Sequence, residues 1–157
     1  IQMRDIDTEL AELTLERLRR IVRQTRNWDL YEKIANGGGY HELPFNIYLP
    51  GGGIHGVIDL LLRVDDNWHV VDYKTDRDTG RVSDKEWLDR HRREHEFQMS
   101  VYALAVMEMA PDQAVYPVSI YFADRGQAIR YDFTGAWLND LRDRLSQTLD
   151  EMKTQGH

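Results

Sequence analysis

Two apolar stretches separated by a short polar turn constrain the fold of this chain more than any other feature. Residues 54–64 and 68–75 are rich in Val, Ile and Leu, and the sequence Asp-Asp-Asn lies between them at residues 65–67. Short apolar runs joined by such a turn predict a β-hairpin. Each run also contains an acidic residue, Asp59 in the first and Asp72 in the second. The hairpin therefore predicts two carboxylates on neighbouring strands.

The remaining segments place this hairpin in an α/β domain with a mixed sheet. Apolar residues recur at helical spacing in three segments and follow a strand pattern in three others. The predicted helices are residues 6–26, 83–109 and 134–152, and the predicted further strands are residues 40–49, 115–122 and 128–133. Ser83 and Glu86 form a capping-box pattern at the start of the middle helix, which we expect to break near its middle. Pro44 predicts an edge strand or a bulge.

The composition is typical of one globular domain. The chain has 157 residues, of which 41% are hydrophobic and 30% charged, and we expect residues 1–157 to form a single domain. No apolar run is long enough for a membrane span, and no signal peptide is visible. Cysteine is absent, which excludes disulfides and thiolate metal sites. We therefore expect a cytoplasmic protein without a membrane partner.

The charge balance argues against a nucleic-acid partner. The net charge is −7, whereas nucleic-acid-binding proteins usually carry a basic surface. Catalytic carboxylates contribute to this balance, and a bound divalent cation would offset part of it locally. The first residue is Ile1 rather than Met, so we expect the sequence to be a fragment of a longer chain. A basic neighbouring domain in that chain would reduce the positive charge that this domain itself needs to receive a nucleic acid.

The acidic residues of the hairpin have the pattern of a metal site. Strand alternation places Asp72 and Lys74 on one face of the second strand, and Asp59 is a lone acid in the apolar first strand. A buried, unpaired carboxylate is costly, and two of them would repel each other. A divalent cation between them removes both problems. Hard oxygen ligands favour Mg²⁺ or Mn²⁺, and Glu42 is a third acid that could bind directly or through water.

Lys74 completes the chemistry that such a site needs. Its ammonium would orient an attacking water or stabilise charge that develops on a phosphorus centre, while the metal would lower the pKa of its bound water. The alternative is that Asp72 and Lys74 form only a structural ion pair and that Asp59 caps a turn. The joint occurrence of Asp59, Asp72 and Lys74 favours function.

Three short runs resemble a known nuclease signature. They are residues 56–60 (Gly-Val-Ile-Asp-Leu), residues 71–75 (Val-Asp-Tyr-Lys-Thr) and residues 98–102 (Gln-Met-Ser-Val-Tyr), and they are similar to motifs of RecB-like PD-(D/E)XK nucleases, as found in the nuclease domains of AddA-type helicase-nucleases. The resemblance covers residues 42–102 and can be extended to residue 133. It implies a restriction-endonuclease-like αβββαβ core with a mixed central sheet flanked by helices.

The resemblance also implies roles for individual residues. Asp59 and Asp72 would hold the divalent metal, the backbone carbonyl of Tyr73 would join them, and Lys74 would be the catalytic lysine. Gln98 and Tyr102 match the helix motif of the family, and they lie four residues apart on one helix face, where they could hold a phosphate or support Lys74. Core packing by Tyr102 beside a solvated Gln98 is the alternative for that pair.

At the level of the whole protein, the resemblance implies a DNA exonuclease. It would be the cassette of an ATP-dependent helicase-nuclease in double-strand break repair and recombination, with a covalently linked helicase domain and a partner subunit, acting in the cytoplasm at the nucleoid. One feature departs from the family. RecB-like nucleases often carry a metal-binding His on the first helix, and this sequence has no His before His41. Either that His lies upstream of Ile1 or the site is incomplete, and neither His41 nor His55 is assigned as its replacement.

Two rival interpretations remain open. A degenerate nuclease fold could serve only to bind DNA or a partner. A zinc peptidase is the other rival, because residues 91–95 match the inverted H-x-x-E-H pattern through His91 and His95. That site would need Glu108 or Glu151 as a third ligand. We interpret residues 91–95 instead as a solvated helix face that could touch DNA phosphates through its arginines.

Overall fold

The computed structural model describes residues 3–78 and 80–156, with side chains from Thr8 onward. Every predicted helix and strand is present, and one short helix, α2, was not predicted. The elements in chain order are α1 (Met3–Arg26), α2 (Tyr31–Ala35), β1 (Gly39–Leu49), β2 (Gly52–Val64), β3 (Asn67–Lys74), α3 (Asp84–Met109), β4 (Val115–Phe122), β5 (Gln127–Thr134) and α4 (Gly135–Gln155).

The sheet has five strands in the order β1-β2-β3-β4-β5. Neighbouring strands are antiparallel except β3 and β4, which are parallel. A parallel pair needs a crossover connection, and α3 supplies it. The prediction of a mixed sheet flanked by helices is therefore confirmed. Among the described residues, none of the helices combines the length and the apolarity that spanning a membrane requires.

Apolar side chains on the two sides of the sheet form separate clusters of unequal size. The larger one joins the sheet to α3 and α4 through buried residues such as Ile58, Val70, Leu104 and Leu138. The smaller one joins the sheet to the region around α2, and its members are Leu30, Leu60, Leu62 and Val71, with Trp28, Ile34 and Val64 at its margin. Helix α3 and the hairpin thus share the larger core, which fixes their relative position.

Strand β1 lies at the sheet edge and contains a distortion at Glu42. Pro44 takes part in this edge strand, as predicted. Glu42 has a φ of 50°, a left-handed value that is rare for a non-glycine residue. The pairs His41↔Leu60 and Leu43↔Ile58 are formed on either side of it. The backbone therefore deviates from regular pairing at the level of Asp59.

The long helix α3 begins as predicted but does not break. The Ser83 side chain accepts a hydrogen bond from the Glu86 N–H at 3.3 Å and so caps the helix. The helix then continues without interruption from Asp84 to Met109, so the expected break near its middle is wrong. The segment contains neither Gly nor Pro, the usual causes of a kink. Its second half is buried against the sheet, which favours a continuous helix.

Candidate active site

Asp59 lies where strands β2 and β3 separate. The described pairing between these strands ends at Leu60↔Val71, so Asp59 and Asp72 are the residues just beyond it. There the Oδ2 atom of Asp59 accepts a hydrogen bond from the Tyr73 N–H at 3.0 Å. The carboxylate thus satisfies a backbone donor that a neighbouring strand would otherwise satisfy. This bond fixes the orientation of Asp59 at the mouth of the separating strands.

Asp72 is buried and only partly satisfied. The residue is 3% exposed, and its Oδ2 atom lies 3.1 Å from Nζ of Lys74. This approach is an ion pair, and no hydrogen bond to the buried Oδ2 atom is formed by the described residues. Buried polar atoms in folded proteins are almost always hydrogen-bonded. Asp72 therefore presents an oxygen with unused capacity to accept a ligand.

The electrostatics around Asp72 oppose its ionisation. Burial raises the pKa of Asp72 from 3.8 to about 6, the Lys74 ammonium opposes that rise, and the negative charge of Asp59 adds to it. Two carboxylates near each other in a desolvated position have an excess of negative charge that one ammonium does not neutralise. Oxygen donors with this charge suit a hard divalent cation. The residues present therefore fit a Mg²⁺ or Mn²⁺ ion.

Lys74 is held by the parallel strand next to it. It pairs with Phe122 in the register of β3 and β4, and its carbonyl accepts a hydrogen bond from the Ala123 N–H at 2.9 Å. The backbone of Lys74 is therefore fixed, while its side chain remains 22% exposed. An anchored backbone with an accessible ammonium can present a positive charge to a phosphate at the rim of the site.

Helix α3 brings Gln98 and Tyr102 to the same side of the sheet. Nε2 of Gln98 donates a hydrogen bond to the Tyr102 hydroxyl at 3.0 Å, and the Tyr102 ring packs edge-on against Phe45 with centroids 5.8 Å apart. Burial raises the pKa of Tyr102, and the charge of Asp72 raises it further. The hydroxyl therefore lies within electrostatic reach of Asp72. Tyr102 is partly buried while Gln98 is exposed.

The other predicted ligands have a less defined geometry. Glu42 is exposed, and among the described residues it forms no ion pair or side-chain hydrogen bond. Its left-handed backbone lies level with Asp59 in the strand register. The Tyr73 side chain is 37% exposed. The metal-binding roles of Glu42 and of the Tyr73 carbonyl therefore stay predictions.

The turn between β4 and β5 holds the loop that follows Lys74, which sequence reasoning missed. Asp124 accepts hydrogen bonds from the Asp78 N–H (2.7 Å) and from Arg17 and Arg20 (2.9 Å each). Arg125 binds Asp78 at 3.2 Å and Asp84 at 2.7 Å. These partners are more than 40 residues away in the chain. The sequence around residues 124 and 125 therefore predicted only a turn and gave no sign of these contacts.

His91 and His95 of α3 lie near the site and are not on a fully solvated face of the helix. The pKa of His95 is lowered, first by burial and then by the charge of Lys74, so the imidazole is near that ammonium. His91 packs against the Trp87 ring with centroids 4.2 Å apart and against the Phe122 ring at 5.1 Å. Arg92 donates to the Arg130 carbonyl at 2.9 Å. The interpretation of this segment as a solvated face is therefore wrong for His91.

The third ligand required by the peptidase interpretation does not lie at these histidines. Glu108 pairs with Arg142 of α4, and Glu151 accepts a hydrogen bond from Gln147 within α4 at 3.3 Å. Both glutamates are therefore engaged with α4 residues. The geometry gives the H-x-x-E-H pattern no support from either of them.

Several known proteins are similar to this chain over much of its length. The family model of the PD-(D/E)XK nuclease superfamily matches residues 2–156. An ATP-dependent helicase/nuclease subunit of Oceanobacillus iheyensis is 33% identical in an alignment 119 residues long, which covers 66% of this chain and 9% of that protein. The corresponding helicase/nuclease subunit of Carboxydothermus hydrogenoformans is 32% identical in an alignment 104 residues long, which covers 58% of this chain and 8% of that protein.

Further matches include a much shorter protein and a solved structure. The Gene 69 protein of Mycobacterium phage L5 is 32% identical in an alignment 120 residues long, which covers 73% of this chain and 35% of that protein. The crystal structure of SSO0001 overlaps 77% of this chain and 55% of its own, with a TM-score of 0.39 and 16% identity. The chain spans less than a tenth of the two helicase/nuclease subunits. On the match over residues 2–156, the chain belongs to the PD-(D/E)XK nuclease superfamily.

Proposed function

We propose that this chain is a divalent-metal-dependent nuclease domain that hydrolyses phosphodiester bonds in DNA. The observation that carries the proposal is the buried Oδ2 atom of Asp72, which has no hydrogen-bond partner among the described residues and lies 3.1 Å from Lys74 Nζ. A structural ion pair would normally satisfy both partners. A buried carboxylate oxygen that is ion-paired with a lysine but receives no hydrogen bond, beside a second acid and in a member of a nuclease superfamily, supports a metal-dependent hydrolase.

Asp59 and Asp72 are the residues that would hold Mg²⁺ or Mn²⁺. The Tyr73 carbonyl and Glu42 would complete the ligand set, Glu42 directly or through water. When bound, the ion supplies positive charge that polarises a phosphoryl oxygen and lowers the pKa of a water molecule. The hydrogen bond from the Tyr73 N–H holds Asp59 in place before any ion arrives, which reduces the ordering that binding requires.

Lys74 and the α3 pair would act on the DNA. The Lys74 ammonium would orient the attacking water or oppose the negative charge that develops on the phosphate. Its pairing with Asp72 keeps that ammonium beside the residues that would hold the metal. The hydrogen-bonded pair of Gln98 and Tyr102 would position a phosphate or support Lys74 from the helix side. In this proposal Gln98 and Tyr102 position the substrate, and Lys74 is the catalytic lysine.

The names of the relatives support a wider context. Two of them are named as subunits of an ATP-dependent helicase/nuclease, so we place this chain as the single nuclease domain of a longer protein with a covalently linked helicase. In that setting it would act as an exonuclease with a partner subunit in double-strand break repair, at the nucleoid. The chain has no G-x-x-x-x-G-K-[ST] motif, so cleavage by this domain alone should not depend on ATP.

A cleavage assay tests the proposal. Labelled single- and double-stranded DNA would be incubated with the wild type, Asp72→Asn and Lys74→Ala in Mg²⁺, in Mn²⁺ and in EDTA, with and without ATP. We expect slow, ATP-independent cleavage by the wild type, faster in Mn²⁺ than in Mg²⁺, reduced as salt rises and lost in both variants. Equal cleavage by all three proteins would mean that the activity lies elsewhere.

A degenerate nuclease fold that only binds DNA or a partner is the second candidate. The net charge of −7 favours it. In the same assay it predicts no cleavage by the wild type in either metal. A filter-binding measurement with the same labelled DNA would then show retention that is unchanged in Asp72→Asn.

A further inference from the structure

A second set of metal-ligating side chains lies on α3, outside the Asp59–Asp72 centre. His91, Glu94 and His95 each offer one ligand atom, and these atoms all lie within 4.8 Å of one another. Their spacing of three and four residues places them on one face of the helix. Among the described residues, this is the one group of three or more His, Cys, Asp or Glu side chains with such a geometry.

We infer that His91, Glu94 and His95 form a binding site for a transition-metal dication of the zinc class, separate from the nuclease centre. Two imidazole nitrogens and one carboxylate oxygen suit Zn²⁺, which takes nitrogen and oxygen ligands. They suit Mg²⁺ poorly, because Mg²⁺ prefers oxygen ligands alone. The two centres therefore differ in donor chemistry, and zinc binding on α3 does not depend on the proposed nuclease activity.

The histidine rings are already ordered by their surroundings. The His91 ring contacts Trp87 and Phe122, and it stacks on the His95 ring with centroids 5.7 Å apart and an interplanar angle of 8°. The His95 ring also approaches Phe122, with centroids 5.7 Å apart. Rings held in this way lose little further side-chain entropy when they bind an ion. The aromatic packing thus prearranges two of the three ligands.

One atom of the group is buried and unsatisfied. Nδ1 of His91 has no hydrogen-bond partner among the described residues, and the closest Glu94 oxygen is 3.7 Å away, beyond hydrogen-bond distance. Buried imidazole nitrogens normally find a partner. A metal ion on this nitrogen, or a shift of Glu94 toward it when the other ring nitrogen binds the ion, would satisfy it.

The three side chains must approach one another to close the site. Ligand atoms around a tetrahedral Zn²⁺ are about 3.3 Å apart, given metal–ligand distances of about 2.0 Å. The separations of up to 4.8 Å must therefore shrink. The Glu94 side chain is 53% exposed, and its charged contacts are Arg90 at 4.0 Å and His91 at 3.7 Å, so its rotation is inexpensive. Three protein ligands leave one position for solvent.

The fourth coordination position, which solvent would occupy, can be reached from an adjoining cavity. His91 and His95 line a cavity of about 240 Å³ together with Asp76, Arg77 and Arg90. Solvent can therefore reach the histidines, as entry of an ion requires. No proteolytic role follows from this site, since Glu108 and Glu151 are engaged with α4.

Zinc binding by metal-free protein tests the inference. Asp72→Asn would serve as the background, so that the nuclease centre is weakened, and Zn²⁺ would be titrated calorimetrically. Co²⁺ would then report the ligand set through its visible absorption. We expect one Zn²⁺ per chain, undiminished by millimolar Mg²⁺. His95→Gln and Glu94→Gln should each weaken binding by more than about tenfold. The matched control is His55→Gln, an exposed histidine of β2, which should change nothing.

Three results would overturn the inference. Zinc binding that survives both His95→Gln and Glu94→Gln would place the ion elsewhere. Loss of binding in Asp72→Asn while His95 is intact would place it in the nuclease centre. No binding by a folded wild type would mean that His91 and His95 serve only in aromatic packing. Because His91 contributes to that packing, the test uses the more peripheral His95 and Glu94, and circular dichroism checks that each variant is folded.

Discussion

The two ends of strand β3 each bury a polar residue, but they treat it differently. His69 is 1% exposed, and its Nε2 atom is hydrogen-bonded to the Ser119 hydroxyl at 2.8 Å. Asp72 is 3% exposed, and one of its oxygens has no hydrogen-bond partner among the described residues. The hydrogen bond to Ser119 leaves His69 unavailable to a ligand. The buried carboxylate of Asp72 can still accept a ligand, which lowers the stability of the fold but suits a binding site.

The largest effect is expected from Lys74→Ala, at the end of β3 that contains Asp72. Removing the ammonium takes away the charge that would act on the phosphate, and loss of one such stabilising group typically costs about 10²–10³-fold in rate. Single-turnover cleavage in Mn²⁺ measures this. Folding should be largely preserved, because the Lys74 side chain lies at the rim of the site and not in the apolar core.

Lys85→Ala is the matched control for that substitution. Lys85 is an exposed lysine in the first turn of α3, so its loss removes the same charge without touching the site. Cleavage by Lys85→Ala should equal that of the wild type. A Lys74→Ala protein that cleaves as fast as this control would remove Lys74 from the mechanism.

Because of His69, near the start of β3, the free energy of unfolding is expected to depend on pH. Burial lowers the pKa of His69 from 6.5 to about 4, so the unfolded chain binds a proton in this range that the folded protein excludes. The stabilisation is present above pH 6.5 and is lost as pH falls toward 4, with a total of about 3 kcal/mol. Urea unfolding of the wild type and His69→Gln at several pH values measures the difference.

The His69→Gln protein should be less stable than the wild type at pH 7, and its deficit should shrink as pH falls toward 4. His55→Gln, which removes an exposed histidine of β2, should follow the wild type throughout. A deficit that stays constant over this range would show that the protonation of His69 is not linked to folding.

A smaller effect of opposite sign is expected from Asp72→Asn. The pKa of Asp72 is raised from 3.8 to about 6, so its stabilising contribution is present below pH 3.8 and is lost as pH rises through 6. At pH 8 without metal, the amide should therefore increase the free energy of unfolding by about 1–3 kcal/mol. Calorimetry in EDTA measures this.

Bound Mn²⁺ should make the wild type more stable than Asp72→Asn, which is the reverse of the order expected without metal. An ion that binds only the folded state raises its melting temperature, and Mn²⁺ should do so for the wild type and much less for Asp72→Asn. If the variant is less stable than the wild type in EDTA as well, the carboxylate is well satisfied and the proposed contrast between the two ends of β3 is wrong.

The smallest effect is expected from Asp59→Asn. The amide oxygen can still accept the hydrogen bond from the Tyr73 N–H, while the charge that raises the pKa of Asp72 disappears. The pKa of Asp72 should therefore fall, and carboxyl-carbon NMR across a pH titration would detect this. An unchanged titration would mean that Asp59 and Asp72 do not interact, which would weaken the case for a shared ion.

The sequence predicted the elements well because their signals are local. The capping pattern of Ser83 and Glu86 placed the start of α3, and the short polar turn between two apolar runs placed the hairpin of β2 and β3. Helix α2 was missed because it has only five residues, Tyr31–Ala35, with none of them buried. The expected break in α3 was wrong because burial against the sheet, which is not visible locally, favours a continuous helix.

The details of the site depended on contacts between distant residues. Glu42 was recognised as an acid on the strand before the hairpin, but its left-handed backbone is a property of the pairing between β1 and β2. His91 and His95 were noted as a zinc pattern but interpreted as a solvated face, because their ring contacts with Phe122 require β4 to lie against α3. The hold of Asp124 and Arg125 on the loop after Lys74 had no sequence signal at all.

By itself the sequence determined which residues are acids on adjacent strands, which lysine accompanies them and which helix faces the sheet. These properties follow from composition and from the periods of strands and helices, which are set by the local backbone. Only the tertiary structure decided that Asp72 keeps an unsatisfied oxygen while His69 does not. Satisfaction of a buried polar atom depends on which group reaches it. Ser119 of β4 reaches His69 with a hydrogen bond, whereas Oδ2 of Asp72 is reached by Lys74 of its own strand in an ion pair.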